Sequence, residues 1–379
     1  MGWSLLDIKK RIKHLEKYKL SLSNADKIDK IDQTIASLWE ILDYYRADVF
    51  GFNYSTGEVL RKDDEFMEYM SDYNPYIYSF AETFSQEESI IEYEVDTKID
   101  TSEATILRLT KEFYDSIKDR RFSSPFNELY KKKDRLLRFR KKPVFNKQEN
   151  EAVSFPIYNT RDVYLLVNHC NMFSDYLAAI HEYGHAISAL INQDFCLDNG
   201  KYLFIETDAI LFEMLGNDML SSKNGMEKMA LTADIERFYD YLYHAVVIQS
   251  KLGIHSDFYS LKRLSKKDIE GYLREVMELD DKDAINDVIK KPMEDIYRYV
   301  ISYMLAIELY YEYHKCPNKA LDALYSLITK DFNHVSEGFL MLKSIYGIEL
   351  GTHIHDYYDS LVKRVKEVED DKGLQYTIK

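Results

Sequence analysis

The chain has 379 residues, 46% of them hydrophobic, with 6 Pro, 13 Gly and a formal net charge of −15. That balance suits one large helical globule or two lobes packed together. The negative charge argues against a general role on nucleic acid or anionic membrane, since both need a cationic face. Cys170, Cys196 and Cys316 are an odd count without framework spacing, which argues against a disulfide-stapled secreted domain.

The opening Met1-Gly-Trp-Ser-Leu-Leu-Asp-Ile-Lys-Lys-Arg lacks the apolar core and small-residue cleavage site of a signal peptide. No run approaches the length of a membrane helix, so the protein reads as cytoplasmic. Hydrophobic periodicity predicts amphipathic helices over 5–22, 25–49, 63–71, 85–97 and 102–118, with breaks at Ser55-Thr56-Gly57 and Asn74-Pro75. None of them carries a catalytic constellation. Residues 131–142 hold eight cations to one carboxylate, and the first reading is a solvated helix face balancing an acidic protein. Binding of acidic peptide ends or of a partner is the other. Pro143 stops this element, and 145–153 read as a polar connector. The segment 161–168, Arg-Asp-Val-Tyr-Leu-Leu-Val-Asn, is β-rich and too short for a typical helix, so a strand is expected. At its end, Asn168 and His169 are either substrate contacts or ordinary turn residues.

Residues 175–191 are rich in Ala, Leu and Ile, contain no Pro and follow the N-cap candidates Ser174 and Asp175, which predicts a helix. Within it lies His181-Glu182-Tyr183-Gly184-His185. Residues four apart share a helix face, so His181 and His185 can place two imidazole nitrogens on one ion. In this H-E-x-x-H arrangement the imidazoles hold Zn²⁺, and Glu182 takes a proton from the water activated there. Ala178, His181, His185 and Ser188 form one stripe with little bulk, a face that another helix can approach closely.

A catalytic zinc needs a third protein ligand. After a polar interruption with Asp198-Asn199-Gly200 as a turn, a second helix is expected over 203–220. Glu206, Ala209, Glu213 and Gly216 share one stripe on it, and Glu206 is assigned as the third ligand. Glu213, two turns on, is either a group holding a ligand imidazole from behind or an ordinary inter-helix salt bridge. Asp208 falls on nearly the opposite side of that helix and reads as a helix-start or solvent residue. Cys170 reads as a half-buried structural thiol. Further helices are predicted over 226–251, 267–279, 283–290, 292–314, 320–331, 336–346 and 353–368. His255, His353 and His355 read as surface or packing residues.

The segments His-Glu-Tyr-Gly-His-Ala and Phe-Ile-Glu-Thr-Asp-Ala-Ile-Leu-Phe-Glu-Met-Leu resemble the thimet oligopeptidase and oligoendopeptidase F family of gluzincins. The resemblance extends upstream to Asp162-Val-Tyr-Leu-Leu-Val and Asp175, and downstream to Asp295-Ile-Tyr-Arg-Tyr-Val-Ile-Ser-Tyr and the closing helices. It implies an all-α fold in two lobes around a substrate channel, with a small β element beside the metal helix. Glu206 is then the zinc-binding glutamate, and a late-helix tyrosine donates to the oxyanion, Tyr299 first and Tyr297 second. The residues 290–295 lack the histidine that accompanies those tyrosines in the family, and 329–334 replace its Gly-rich loop. The chain is also several helices shorter than the usual member, so a reduced N-terminal lobe is expected.

The expectation is a helical lobe over 1–150 and a catalytic region over 151–379. The expected activity is zinc-dependent endopeptidase action on short unstructured peptides. In zinc peptidases generally, an edge strand beside the metal helix pairs with the extended substrate. The rival reading is a non-catalytic relative that binds peptides or keeps zinc as a structural staple. Retention of Glu182 speaks against it, because a structural zinc has no use for a general base. Nothing in the sequence addresses the oligomeric state.

Overall fold

The computed structural model describes residues 5–46, 63, 66–67, 70–86, 99–141, 152–157, 162–192, 201–223, 225–257, 266–275 and 282–370. Helices dominate, as expected. In the first part of the chain they are α1 (Leu5–Lys19), α2 (Ala25–Arg46), α3 (Asn74–Gln86), α4 (Glu103–Ser116) and α5 (Arg120–Lys131). Strands β1 (Leu137–Lys141), β2 (Val153–Ile157) and β3 (Asp162–His169) follow. Next come α6 (Ser174–Ile191), α7 (Thr207–Ser221) and the long α8 (Glu227–Asp257). The remainder is α9 (Lys266–Glu275), α10 (Lys282–Lys290), α11 (Met293–Lys315), α12 (Pro317–Thr329), α13 (Val335–Met341) and α14 (Ile354–Asp370). No described helix is long and apolar enough to cross a membrane.

Several boundaries differ from expectation for physical reasons. Asn74-Pro75 opens α3 instead of breaking the chain, because the missing Pro N–H costs nothing in a first helical turn. Helix α5 has no counterpart in the sequence reading, although Phe122, Phe126 and Leu129 form its buried stripe and the Asp119 carboxylate caps it by accepting from the Arg121 amide at 2.8 Å. The basic run 131–142 is not a solvated helix. After one helical turn, Lys133–Leu136, it becomes β1. Lys132 and Arg135 both reach the buried Asp162 at the start of β3, at 2.8 and 2.9 Å. The expected helix over 85–97 lies mostly outside the described residues, as do Cys196 and the turn at Asp198-Asn199-Gly200.

The sheet has the order β1-β3-β2, with β1 parallel and β2 antiparallel to β3. The expected strand is therefore present, but it is central and not an edge. Its unbroken apolar run follows from cover on both faces. Val163, Leu165 and Val167 join the main core, whereas Tyr164 and Leu166 pack with Ile8, Ile12, Leu38 and Ile41 of α1 and α2. Both β1 and β2 are edge strands of this sheet, and β2 carries Pro156, a residue found on sheet edges.

The main core draws on residues from Met70 to Val365. Tyr114 of α4 stacks on Phe126 of α5 at 4.5 Å and donates its hydroxyl to the Ile180 carbonyl of α6 at 2.7 Å. Helix α6 meets α7 through small residues. A Cβ on Gly184 would lie 2.9 Å from the Ala209 Cα, and one on Gly216 would lie 2.5 Å from the Ile180 Cδ1.

These contacts oppose helix propensity, which favours Ala over Gly by roughly 1 kcal/mol in a helix interior. Gly184→Ala is expected to lower unfolding free energy by roughly 1–3 kcal/mol through overpacking against backbone. Gly271→Ala on α9, where an added Cβ meets nothing within 4 Å, should instead hold or raise it. Chemical denaturation of both variants checks this, and a Gly184→Ala protein as stable as the parent would contradict a tight α6–α7 contact.

Candidate metal centre

His181 and His185 sit one helical turn apart on α6, their ring centroids separated by 4.8 Å. Glu206 is not inside a helix. It follows the short 3₁₀ turn Tyr202–Phe204 and occupies the N-cap of α7, where its carbonyl accepts the first intrahelical bond from the Ile210 amide at 3.0 Å. From there its Oε2 reaches His185 Nε2 at 3.1 Å and His181 Nε2 at 3.7 Å. The three donor groups lie within 4.8 Å of one another. Four tetrahedral bonds of about 2.0–2.1 Å place neighbouring donors about 3.3 Å apart, so this set is sized for one small cation.

The far nitrogens of both imidazoles face carboxylates. His181 Nδ1 donates to Glu213 Oε2 at 3.0 Å, which leaves Nε2 directed at the shared point. Glu213 Oε1 in turn accepts from Arg237 Nη2 at 2.8 Å and Nε at 3.1 Å. Arg237 continues to Asp234 at 2.8 Å, and Asp234 to Arg364 of α14 at 2.8 Å. His185 Nδ1 faces Asp208 Oδ1 at 3.7 Å. This corrects the expectation for Asp208, which is 3% exposed and lines the cleft. Because Glu206 precedes the first helical turn, its position relative to Asp208 does not follow a helical wheel.

Glu182 is buried, and its Oε2 has no hydrogen-bond partner. Burial raises its pKa above the ordinary carboxylate value against the opposing pull of His185 and His181. Burial also works to raise Glu206, but the two imidazoles outweigh it and hold that carboxyl far below the usual range. For Glu213, burial is outweighed by Arg237 and His181, which bring its pKa down to about 2. Both imidazoles are raised despite burial, His181 by Glu206 and Glu213, His185 by Glu206 and Asp208. The carboxylates thus create a potential that draws positive charge to the imidazole pair.

A cleft of about 760 Å³ opens over this cluster. Ala152, Val153 and Ser154 of the β2 region line one wall, and Ala233, Arg237 and Tyr241 of α8 line another. Tyr299 also faces it, with Arg298 over its ring at 4.9 Å and donating to its hydroxyl at 3.3 Å. Tyr297 does not reach the cleft. It points to the other side of α11, fully buried, with its hydroxyl 3.2 Å from Asn74 Oδ1. Two residues apart on a helix means nearly opposite faces, so only one of the two tyrosines could have been placed here.

His169 is buried with Nε2 2.7 Å from the Thr101 carbonyl, and it does not line the cleft. Asp175 accepts the Cys170 amide at 3.1 Å and the Met172 amide at 3.2 Å, so its carboxylate fastens the preceding loop to α6. Cys170 is half-buried and forms no disulfide with a described residue. His353 pairs with Glu308 at 2.6 Å at the start of α14. Arg237 and Tyr241 went unread in the sequence. Their spacing puts them on one face of α8, but nothing in it indicates that this face meets Glu213.

No family model matches the sequence, and no curated protein matches it. Among solved structures the chain is similar to PZ peptidase A with inhibitor 2, at a TM-score of 0.53 and 12% identity over 97% of this chain and 68% of that one. A candidate oligoendopeptidase F aligns at a TM-score of 0.52 and 13% identity, over 97% of this chain and 67% of that one. A candidate peptidase from Chlamydophila abortus aligns at 0.50 and 14%, over 95% and 63%. The chain has the fold of these proteins and spans about two thirds of their length.

The donor set is expected to hold one divalent ion per chain. His181→Ala and His185→Ala should lose it, and Glu206→Gln should weaken it, as read by elemental analysis after gel filtration. Full occupancy in Glu206→Gln would transfer the third position to another carboxylate, Asp208 or Glu213 being the nearest.

Proposed function

We propose that this chain is a zinc-dependent endopeptidase of the thimet oligopeptidase and oligoendopeptidase F type, acting on short unstructured peptides. The observation that carries the reading is Glu182, a buried carboxylate with an unpartnered oxygen, set beside a His181, His185 and Glu206 cluster in a cleft. The fold shared with PZ peptidase A and with a candidate oligoendopeptidase F supports it.

His181, His185 and Glu206 would hold the zinc, whose contribution is Lewis acidity toward water and the scissile carbonyl. Two imidazoles and one carboxylate form a donor set suited to zinc catalysis. Glu213 keeps the His181 proton on Nδ1 and the ring in place, and Arg237 fixes Glu213. Glu182 takes a proton from the attacking water and returns it to the leaving amine. Its raised pKa brings it nearer to that double task than an exposed glutamate. Tyr299 donates its hydroxyl to the oxyanion, while the Arg298 N–H bonded to its oxygen strengthens it as a donor. The β2 strand, whose Val153 and Ser154 line the cleft, would pair with an extended peptide, which positions the scissile bond without reading side chains.

Glu182→Gln preserves shape and removes the base. General-base contributions are about 10²–10⁴-fold, so turnover should fall by at least that range while metal content and peptide affinity stay near the parent. Single-turnover hydrolysis with parallel binding measurements checks it, and a Glu182→Gln protein as fast as the parent would refute the mechanism. Strand pairing at β2 also requires an extended chain, so peptides of about ten residues should be cut much faster than a folded protein. Rapid cleavage of native folded substrates would reject that requirement. A parent that binds peptides without cutting them would favour a non-catalytic binding role.

A further inference from the structure

Helix α8 presents Ala233, Glu236, Arg237, Asp240 and Tyr241 to the cleft, a stripe at helical spacing. Arg237 on that stripe already grips Glu213 at 2.8 Å, and Tyr241 comes one turn later on the same face. Glu213, Glu206 and Tyr299 all lie within electrostatic range of its phenol. The ring is clamped from behind, stacked on the fully buried Tyr303 at 4.2 Å with an interplanar angle of 19°. Its hydroxyl, in contrast, makes no hydrogen bond with any described residue.

A phenylalanine would fill the same space and make the same stack. The hydroxyl has a physical use only if something entering the cleft accepts from it, since a phenol at a mostly enclosed surface without a partner forfeits hydrogen bonding. Burial, then Glu213 and Glu206, push its pKa well above the ordinary value, so it enters as a donor. Tyr299 approaches the same cleft from α11, its oxygen already accepting from Arg298.

We infer that Tyr241 is a further catalytic residue, which donates its hydroxyl to the carbonyl oxygen of the peptide bond being cut, as a second phenol beside Tyr299. The inference rests on the peptidase reading. Two phenols from two helices that line one cleft would form an oxyanion site needing little reorganisation as charge develops. The interaction strengthens as the carbonyl becomes tetrahedral, so it acts mainly on turnover and little on substrate affinity.

Tyr241→Phe keeps the ring and its stack and removes the donor alone. Its kcat should fall about 10²-fold, as for loss of one oxyanion-site donor. KM, metal content and the unfolding transition should match the parent. A tetrahedral phosphinate peptide, titrated by calorimetry, should bind Tyr241→Phe more weakly by a similar factor. An ordinary peptide measured in the Glu182→Gln background should bind equally with and without the Tyr241 hydroxyl. A parent that cuts peptides beside a Tyr241→Phe variant that cuts them equally fast and binds the phosphinate equally well overturns this inference alone. A parent that cuts none removes the peptidase reading, and this inference with it.

Discussion

Two imidazoles on one helix and a carboxylate from another can meet at one point only if the two backbones come nearly into contact. Helices α6 and α7 achieve this by leaving out side chains. The Gly184 face lies against the Ala209 backbone, and Gly216 leaves room for the Ile180 side chain. His181 and His185 border that seam on one side, and Glu206 and Glu213 on the other. Metal-site geometry and core packing are therefore the same constraint. The buried aromatic layer from α4 and α5 presses on the back of α6 and keeps the seam closed.

Bringing that many carboxylates out of water is costly unless each finds a counter-charge. The chain solves this by alternation. From His181 the sequence of contacts runs to Glu213, Arg237, Asp234 and Arg364, each link between 2.8 and 3.0 Å. This couples the closing helix α14 to the His181 ring of the candidate metal cluster. Asn217 adds a bond to Asp234 at 2.6 Å, so both acids of this relay, Glu213 and Asp234, accept from more than one donor. Glu182 and Asp208 lie outside this relay with buried oxygens unmet, and of the two it is Glu182 that sits between the imidazoles on α6, in keeping with a group that exchanges protons with a guest.

Much of the site is legible from spacing. His181 and His185 obey a short helical offset, and Gly184, Ala209 and Gly216 mark the close face. Asp208 was misplaced because the helix wheel was started before the helix begins. Residues of α8 were invisible for a different reason. Arg237 and Tyr241 are ordinary residues of an amphipathic helix until the tertiary fold sets them against Glu213. The sheet was only partly readable, since β1 hides in a cationic run of which Lys132 and Arg135 pair with Asp162, and β2 is a short edge strand containing Pro156. Continuous burial made β3 recognisable, but a strand's own sequence does not say which neighbour takes each side.

The central claim is that a cation at His181, His185 and Glu206 is what makes the cleft hydrolytic. The most direct measurement is hydrolysis of a mixed pool of short peptides, read by mass spectrometry, on protein stripped with chelator and then returned to stoichiometric Zn²⁺. The account requires cleavage to disappear on stripping and to return with about one equivalent of zinc, at internal peptide bonds. Cleavage that persists unchanged in the stripped protein would contradict it.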